Sequence, residues 1–489
     1  MCLNLIPELP RQSSTLTPID GPPGQRQRSR RTLRPRSTGG RPSDQSLVAR
    51  AQHVRKGGEV LMESKEAQQP DGAATPVSRR TFLAGVAAVA AAQSVSLASV
   101  SRAETEDHNH QGGHENGGGL LAYVGTYTPN GQGIHLFRVD QGSGALTPIK
   151  VFPSTVNPSW LAFDPGHKFL YAGNEIANFN GTTTGSVSAY AVNQTTGDLT
   201  LLNTVTSGGA GPAHVSVDPS SKFVFVANYG GGNVAVLPIN PDGSLGNPTD
   251  VKADNSACSP ACPVGPIHAQ KAPPGSFAIS GHDAPHAHMI QTDPAGNFVI
   301  VNDLGLDLTQ VWKLDRVNSK LTDPKNVPSS PGAGPRHFAF HPTGRFFYSL
   351  NEEASTLAFM TYDASTGTLT PAQELSTLPA AFVGTNFTSE VLVSRDGRFV
   401  YAANRLHDTI AVFAVGSSGA LTRLDETWTR GDYPRNFNIE PSGKFMYVCN
   451  HRGDSITTFR LTGNGSKVTF TGMYTAVGSP AVIVFHRIQ

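Results

Sequence analysis

A neutral imidazole can take a proton from water, a carboxylate can orient that imidazole or the water, and a guanidinium can stabilise an oxygen as it becomes negative. Residue types able to do all three recur in this chain inside short, similar phrases. His286 and His288 occur in PHAH, Arg336 and His337 in GPRH, Glu352 in LNEE, Glu390 in SEV, Arg405 in ANR, and Arg435 with Asn436 in PRN. Together they could direct water onto a carbonyl carbon with no metal and no cofactor. Each stands just before or just after a run of alternating apolar residues, as do His214, Glu175, Tyr229 and Arg452. The asparagines at similar places, such as Asn174, Asn302 and Asn450, read as turn-capping residues, because the same type recurs from unit to unit. No P-loop and no G-x-S-x-G elbow is present, which argues against nucleotide chemistry and against a serine hydrolase of that type.

The elements that must position these residues repeat. PSWLAFDPGHKFLYAGNE begins at Pro158, and its counterparts begin at Pro212, Pro285, Pro335, Ser389 and Pro434, separated by 54, 73, 50, 54 and 45 residues. Each is an alternating strand, a turn built on Pro or Asp with Gly or Ser, and a second strand rich in Phe, Val and Tyr. Two more strands follow, so each unit is a four-stranded β-propeller blade. A seventh start, SPAVIVFH at Ser479, has one strand before the chain ends at Gln489; LLAYVGTY, QGIHLFRVD and ALTPIKVF, ahead of Pro158, supply three. The expected fold is therefore all-β, a seven-bladed propeller whose last blade is closed by one C-terminal and three N-terminal strands. Candidate residues in one register on every blade would then face one axis, and His286 and His288, two apart on an expected strand, would face the same side.

The phrases LAYVGTYT with GIHLFRVD, GPAHVSVDP, PHAHMIQTDP with NDLGLD, GPRHFAFHP with NE, and YPRNFNIEPSG resemble those of the seven-bladed lactonase family, which includes propeller-type 6-phosphogluconolactonases and carboxy-cis,cis-muconate cyclases. The resemblance covers residues 120–489 and implies hydrolysis of a small-molecule sugar lactone. It implies His286 as general base, Glu352 orienting it or the water, and Arg336 with Arg405 at the carbonyl oxygen or an anionic substituent. His288 is the alternative base. His288, His337, Arg435, Asn436 and Glu390 are the expected substrate-binding residues. Lactonising cycloisomerisation of a muconate-like diacid, or a non-catalytic binding propeller, would be built on the same scaffold.

Charge divides the chain. Residues 1–80 hold 14 Lys/Arg and 7 Asp/Glu, the rest 24 and 30, so a formal net charge of +1 is the sum of a basic leader and an acidic body. An acidic body excludes a nucleic-acid binder. Residues 1–77 read as a disordered leader, with Met62 as an alternative start. Residues 78–103 resemble a twin-arginine signal peptide: SRRTFL, an alanine-rich run and Ser101-Arg102-Ala103. This implies export by the Tat machinery and work in a periplasm, with no stable membrane anchor, the apolar run being too short to span. Residues 104–119 read as a His- and Gly-rich linker. An insert at about 250–283 holds Cys258 and Cys262, expected as a small disulfide; zinc binding with His268 or His282 is the alternative.

Overall fold

The computed structural model describes residues 119–153, 155–253, 264–266 and 268–488. The leader, signal peptide, most of the linker, and the Cys258–Cys262 pair lie outside them. Among the described residues no helix is long and apolar enough to cross a membrane.

Seven four-stranded antiparallel sheets are arranged as the repeat requires. Their inner strands are Pro158–Phe163, Pro212–Val217, Ala287–Thr292, Pro335–Phe340, Thr388–Val393, Pro434–Ile439 and Pro480–Arg487, opening blades one to seven. Blade seven closes as expected: Pro480–Arg487 pairs with Leu120–Thr126, followed outward by Ile134–Val139 and Leu146–Phe152. The expected turn residues act at the other end of the strands. Asp164 Oδ1 accepts the Phe169 N–H at 2.7 Å, and Asp293 Oδ1 that of Phe298 at 2.9 Å.

The core is divided among the blade interfaces, because each sheet has two apolar faces and buries each against a neighbour. One cluster packs Phe346, Tyr348 and Phe359 of blade four against Val391, Val400 and Phe413 of blade five. Another joins Phe445, Tyr447 and Ile456 of blade six to Val124, Phe137 and Ile483 of blade seven. A polar tie is added on top. In five blades a buried second-strand Tyr donates to a glycine carbonyl in a turn of the next blade: Tyr123 to Gly197, Tyr171 to Gly243, Tyr348 to Gly419, Tyr401 to Gly465 and Tyr447 to Gly144. Blades two and three carry Phe225 and Ile300 at that place and lack the tie.

The insert returns to the ring through a buried ionic clip. His282 Nδ1 lies 2.7 Å from Glu353 Oε2 and its Nε2 3.2 Å from Asp307 Oδ1. Burial disfavours the imidazolium, but the two carboxylates overcome this and hold it at about 9. Glu353 also accepts the Ser280 and Gly281 N–H groups, and Asp307 those of Gly332 and Gly334. The alternative reading of His282 as a zinc ligand is therefore corrected: both ring nitrogens are taken by carboxylates. His268 is exposed, its ring edge-on to Phe277 at 5.2 Å.

The tie from Tyr447 spans 303 residues and joins blade six to blade seven at 2.9 Å. Tyr447→Phe leaves the Gly144 carbonyl without its partner and should lower stability by about 1–3 kcal/mol. Chemical denaturation should show an earlier midpoint, and an unchanged midpoint would contradict the tie.

Candidate active site

One backbone irregularity recurs at the same end of all seven inner strands. The pairing slips between Pro158 and Trp160, Pro212 and His214, Ala287 and Met289, Pro335 and His337, Thr388 and Val391, Pro434 and Asn436, and Pro480 and Val482. Such a β-bulge leaves an extra residue without a cross-strand partner and re-aims side chains. The extra residues include His288, Arg336 and Arg435, on blades three, four and six. Backbone entry to the strands is also shared: Asn157, Gly211, Gly334, Tyr433 and Ser479, each just before the strand, have positive φ. Gly334, at 65°, adopts this freely ahead of Arg336. Tyr433, at 62°, does so at a cost of about 1–2 kcal/mol. Its ring lies against the guanidinium groups of Arg405 (5.1 Å) and Arg452 (3.9 Å).

A second equivalent position follows the last residue of each second strand: Glu175, Tyr229, Leu304, Glu352, Arg405, His451 and Tyr127. It meets the bulge residues at the mouth of the ring. Arg336 Nε lies 2.8 Å and Arg405 Nη2 2.6 Å from Glu352 Oε2, all three side chains nearly sealed from solvent. Glu352 is thus committed to two arginines rather than to His286, which corrects its expected role as an orienter of that imidazole. Arg336 Nη1 donates to the Ser389 carbonyl, and Arg405 Nη1 to Tyr433 Oη at 3.1 Å. The contacts with Glu352 are ion pairs without hydrogen-bond alignment, so Arg336 Nε and Arg405 Nε and Nη2 are buried donors lacking an aligned acceptor. Burial, then the neighbouring Arg405, lowers Arg336 to about 10. Burial pushes the Glu352 carboxyl up, but Arg405 and Arg336 more than reverse this and leave it below the ordinary glutamate range.

Arg435, by contrast, is satisfied. It donates to Tyr127 Oη and lies 3.4 Å from Glu175 Oε2, while Tyr127 Oη donates to the same carboxylate.

The two candidate bases differ in their surroundings. His286 stacks on Tyr229 with ring centroids 4.3 Å apart. Its Nδ1 is 2.8 Å from the Tyr229 carbonyl, which requires Nδ1–H, and its Nε2 is 2.9 Å from the exposed carboxylate of Asp283. His288 sits inside the arginine layer, edge-on to Tyr229 at 5.5 Å, with a buried Nδ1 that has no partner. Burial, then Arg336, His337 and Arg435, holds it well below the usual imidazole range, so it is neutral.

Beneath this layer the channel is crossed by a polar floor. His337 Nδ1 is 3.2 Å from Glu390 Oε1, and Asn436 Nδ2 donates to Glu390 Oε2 at 2.6 Å. Trp160 and His214 complete the floor, with ring centroids 5.1 and 5.7 Å from His337. Below it a cavity of about 460 Å³, lined by His214, Gln291, Glu390, Asn436 and Asn438 among others, runs toward the turn end of the ring. Among the described residues no group of three or more His, Cys, Asp or Glu is arranged to hold a metal ion.

The structure thus brings Arg336, Glu352, Arg405 and His288 into one group, with His286 at its rim, Arg435 beside it and His337, Glu390 and Asn436 below. Sequence reasoning missed Tyr127, Asp283 and Tyr433. Tyr127 could have been found, since it follows blade seven's second strand as Glu352 follows blade four's; Asp283 and Tyr433 lie in connectors with no repeated signature.

The family profile for "Lactonase, 7-bladed beta-propeller" matches residues 121–485. A 6-phosphogluconolactonase of Bacillus subtilis (strain 168) is 36% identical over 324 residues, covering 66% of this chain and 85% of the relative. A 6-phosphogluconolactonase of Formosa agariphila is 29% identical over 330 residues, covering 65% and 86%. The solved structure of the Pseudomonas aeruginosa periplasmic gluconolactonase PpgL superposes with a TM-score of 0.67 at 29% identity, covering 76% of this chain and all of that one. With the ring closed as the repeat demands and the match spanning nearly every blade, the chain belongs to the seven-bladed β-propeller lactonase family and is a lactonase.

Proposed function

We propose that this lactonase hydrolyses an unphosphorylated aldonolactone after export by the twin-arginine route, with His288 as general base. The observation that carries the reading is the set of buried, unaligned N–H donors on Arg336 and Arg405 around a single carboxylate. One carboxylate cannot repay the burial of two guanidinium groups, and an incoming carbonyl oxygen would supply a second acceptor between them. As water adds to the carbonyl carbon, that oxygen becomes an oxyanion, and its attraction to the two guanidinium groups grows in the transition state. His288, kept neutral by burial and the arginines, takes the proton from the attacking water. The oxyanion offsets the arginine charge that depresses this imidazole, so its basicity rises as the reaction proceeds. Collapse of the tetrahedral intermediate breaks the ring C–O bond, and the imidazolium returns its proton to the ring oxygen. Glu352 holds the two arginines together against their mutual repulsion. His286, Tyr229 and Asp283 stand at the rim, placed to contact the ring hydroxyls.

Charge supports an unphosphorylated substrate. Arg336, Arg405 and Arg435 face Glu352 and Glu175, and rim Asp283 would repel a phosphate dianion. The SRRTFL phrase and the likeness to the periplasmic gluconolactonase of Pseudomonas aeruginosa point the same way. A diacid would need two free cationic clamps, whereas Arg435 is already engaged by Tyr127 and Glu175. A non-catalytic scaffold has no use for two buried guanidinium groups crowded on one carboxylate.

His288→Gln should lower kcat by roughly 10²–10⁴-fold with the fold intact, whereas His286→Gln should chiefly raise KM. The base works deprotonated and its pKa is lowered, so in buffer concentrated enough that proton removal does not limit turnover, activity should persist as pH falls through 6.5 and fail only well below it. Equal loss of kcat in both variants, or an acid limb at or above 6.5, would contradict the assignment. By pH-stat titration, kcat/KM for glucono-lactone should exceed that for its 6-phosphate; the reverse order would sink the proposed substrate.

A further inference from the structure

Hydrolysis of a ring ester leaves one proton behind. The oxygen of water joins the carbonyl carbon and one hydrogen ends on the ring oxygen as a hydroxyl. The other is released when the new carboxylic acid ionises beside Arg336 and Arg405. That proton returns to His288, the nearest neutral base, and must leave before the next turnover. To leave by the mouth it must pass Arg336, Arg405, Arg435 and the bound product before it reaches the exposed Asp283 carboxylate at the rim.

The floor of the channel offers another route. The rings of His288 and His337 are 5.0 Å apart and edge-on, close enough for direct contact or a single bridging water. Both rings have a buried nitrogen without a partner, Nδ1 on His288 and Nε2 on His337. On its far side His337 presents Nδ1 to Glu390 Oε1 at 3.2 Å, and Glu390 lines the 460 Å³ cavity that reaches exposed Gln291. We propose that His337 and Glu390 carry the proton of each turnover from His288 to this cavity, so that acid leaves by the end of the ring opposite to substrate. His337 accepts at Nε2 and releases from Nδ1 to the carboxylate, and loss of the Nε2 proton to water with uptake of one at Nδ1 resets its tautomer before the next turnover. Glu390 then gives the proton to water in the cavity.

The groups around Glu390 suit the task. Arg336 from blade four, the Val391 N–H of its own strand and Asn436 from blade six favour its anion, but burial outweighs them and raises it to about 7. His337 is faced by Trp160, His214 and His288, with Arg336 and Arg435 nearby, and burial followed by the arginines keeps it neutral between transfers. A purely structural hydrogen bond would need neither a carboxyl titrating near neutrality nor two adjoining rings with a buried nitrogen left unpaired.

The proposal rests on His288 being the base, and its test separates the two. Glu390→Gln preserves shape and the bond from Asn436 but cannot carry a proton. With glucono-lactone at about pH 7, kcat is measured across a range of imidazole concentrations and, in parallel, of a bulky buffer, with uncatalysed hydrolysis subtracted at each point. In weak buffer the variant should be about tenfold slower than the unaltered enzyme, and imidazole but not the bulky buffer should restore it. His337→Gln, measured in the same way, should behave alike and serves if Glu390→Gln does not fold. A variant as fast as the unaltered enzyme in weak buffer, or equally slow at every buffer concentration, overturns the relay. If His288→Gln stays active, the base assignment has failed; if it is inactive while Glu390→Gln is insensitive to buffer, only the relay has.

Discussion

Everything in this molecule depends on the hydrogen bonding of its last strand to its first. Pro480–Arg487 pairs with Leu120–Thr126, and that pairing turns a row of blades into a ring. Without it the two end sheets would expose unpaired strand edges. With it, seven inner strands start around one axis, and residues far apart in sequence meet. Arg435, Tyr127 and Glu175, from blades six, seven and one, meet across that closure, while Arg336 and Arg405 of adjacent blades share one carboxylate.

The ring also makes a costly site tolerable. Taking two guanidinium groups and a carboxylate out of water is expensive, and one carboxylate cannot repay the desolvation of both cations. The lowered Arg336 registers that strain electrostatically. Apolar faces packed at every blade interface, with Tyr ties across five of them, supply the stability against which such a cluster can be held. On the proposed mechanism the donors are already held in place by Glu352 before substrate arrives, so little reorganisation would be required as the oxyanion forms.

Much of this was legible in the sequence, because repetition fixes register. The number of blades, their closure from both termini, and the place of Arg336, Glu352 and Arg405 all follow from aligning phrases. Choosing between His286 and His288 did not. Period-two reasoning treats the pair as equivalent, but the strand begins at Ala287 and the bulge falls at His288, putting one imidazole at the rim and the other among the arginines. A bulge is a property of the pairing between two strands, and a single strand's pattern does not encode it. Likewise the role of Glu352 depends on which neighbours its carboxylate reaches. His282, which with the cysteines offered zinc binding as an alternative, is claimed instead by Glu353 and Asp307 through contacts 71 and 25 residues away. The near-neutral net charge hid an acidic body whose buried arginines converge on one mouth.

The central claim is that the carbonyl oxygen of a lactone is received by Arg336 and Arg405 beside His288. The most direct measurement is a crystal structure with a gluconolactam, a hydrolysis-resistant analogue of the ring. Its carbonyl oxygen is expected within hydrogen-bond distance of the Arg336 and Arg405 guanidinium groups, with the carbonyl carbon facing the His288 ring. An analogue seated in the cavity below Glu390, or at the mouth with its carbonyl turned from both arginines, would contradict it.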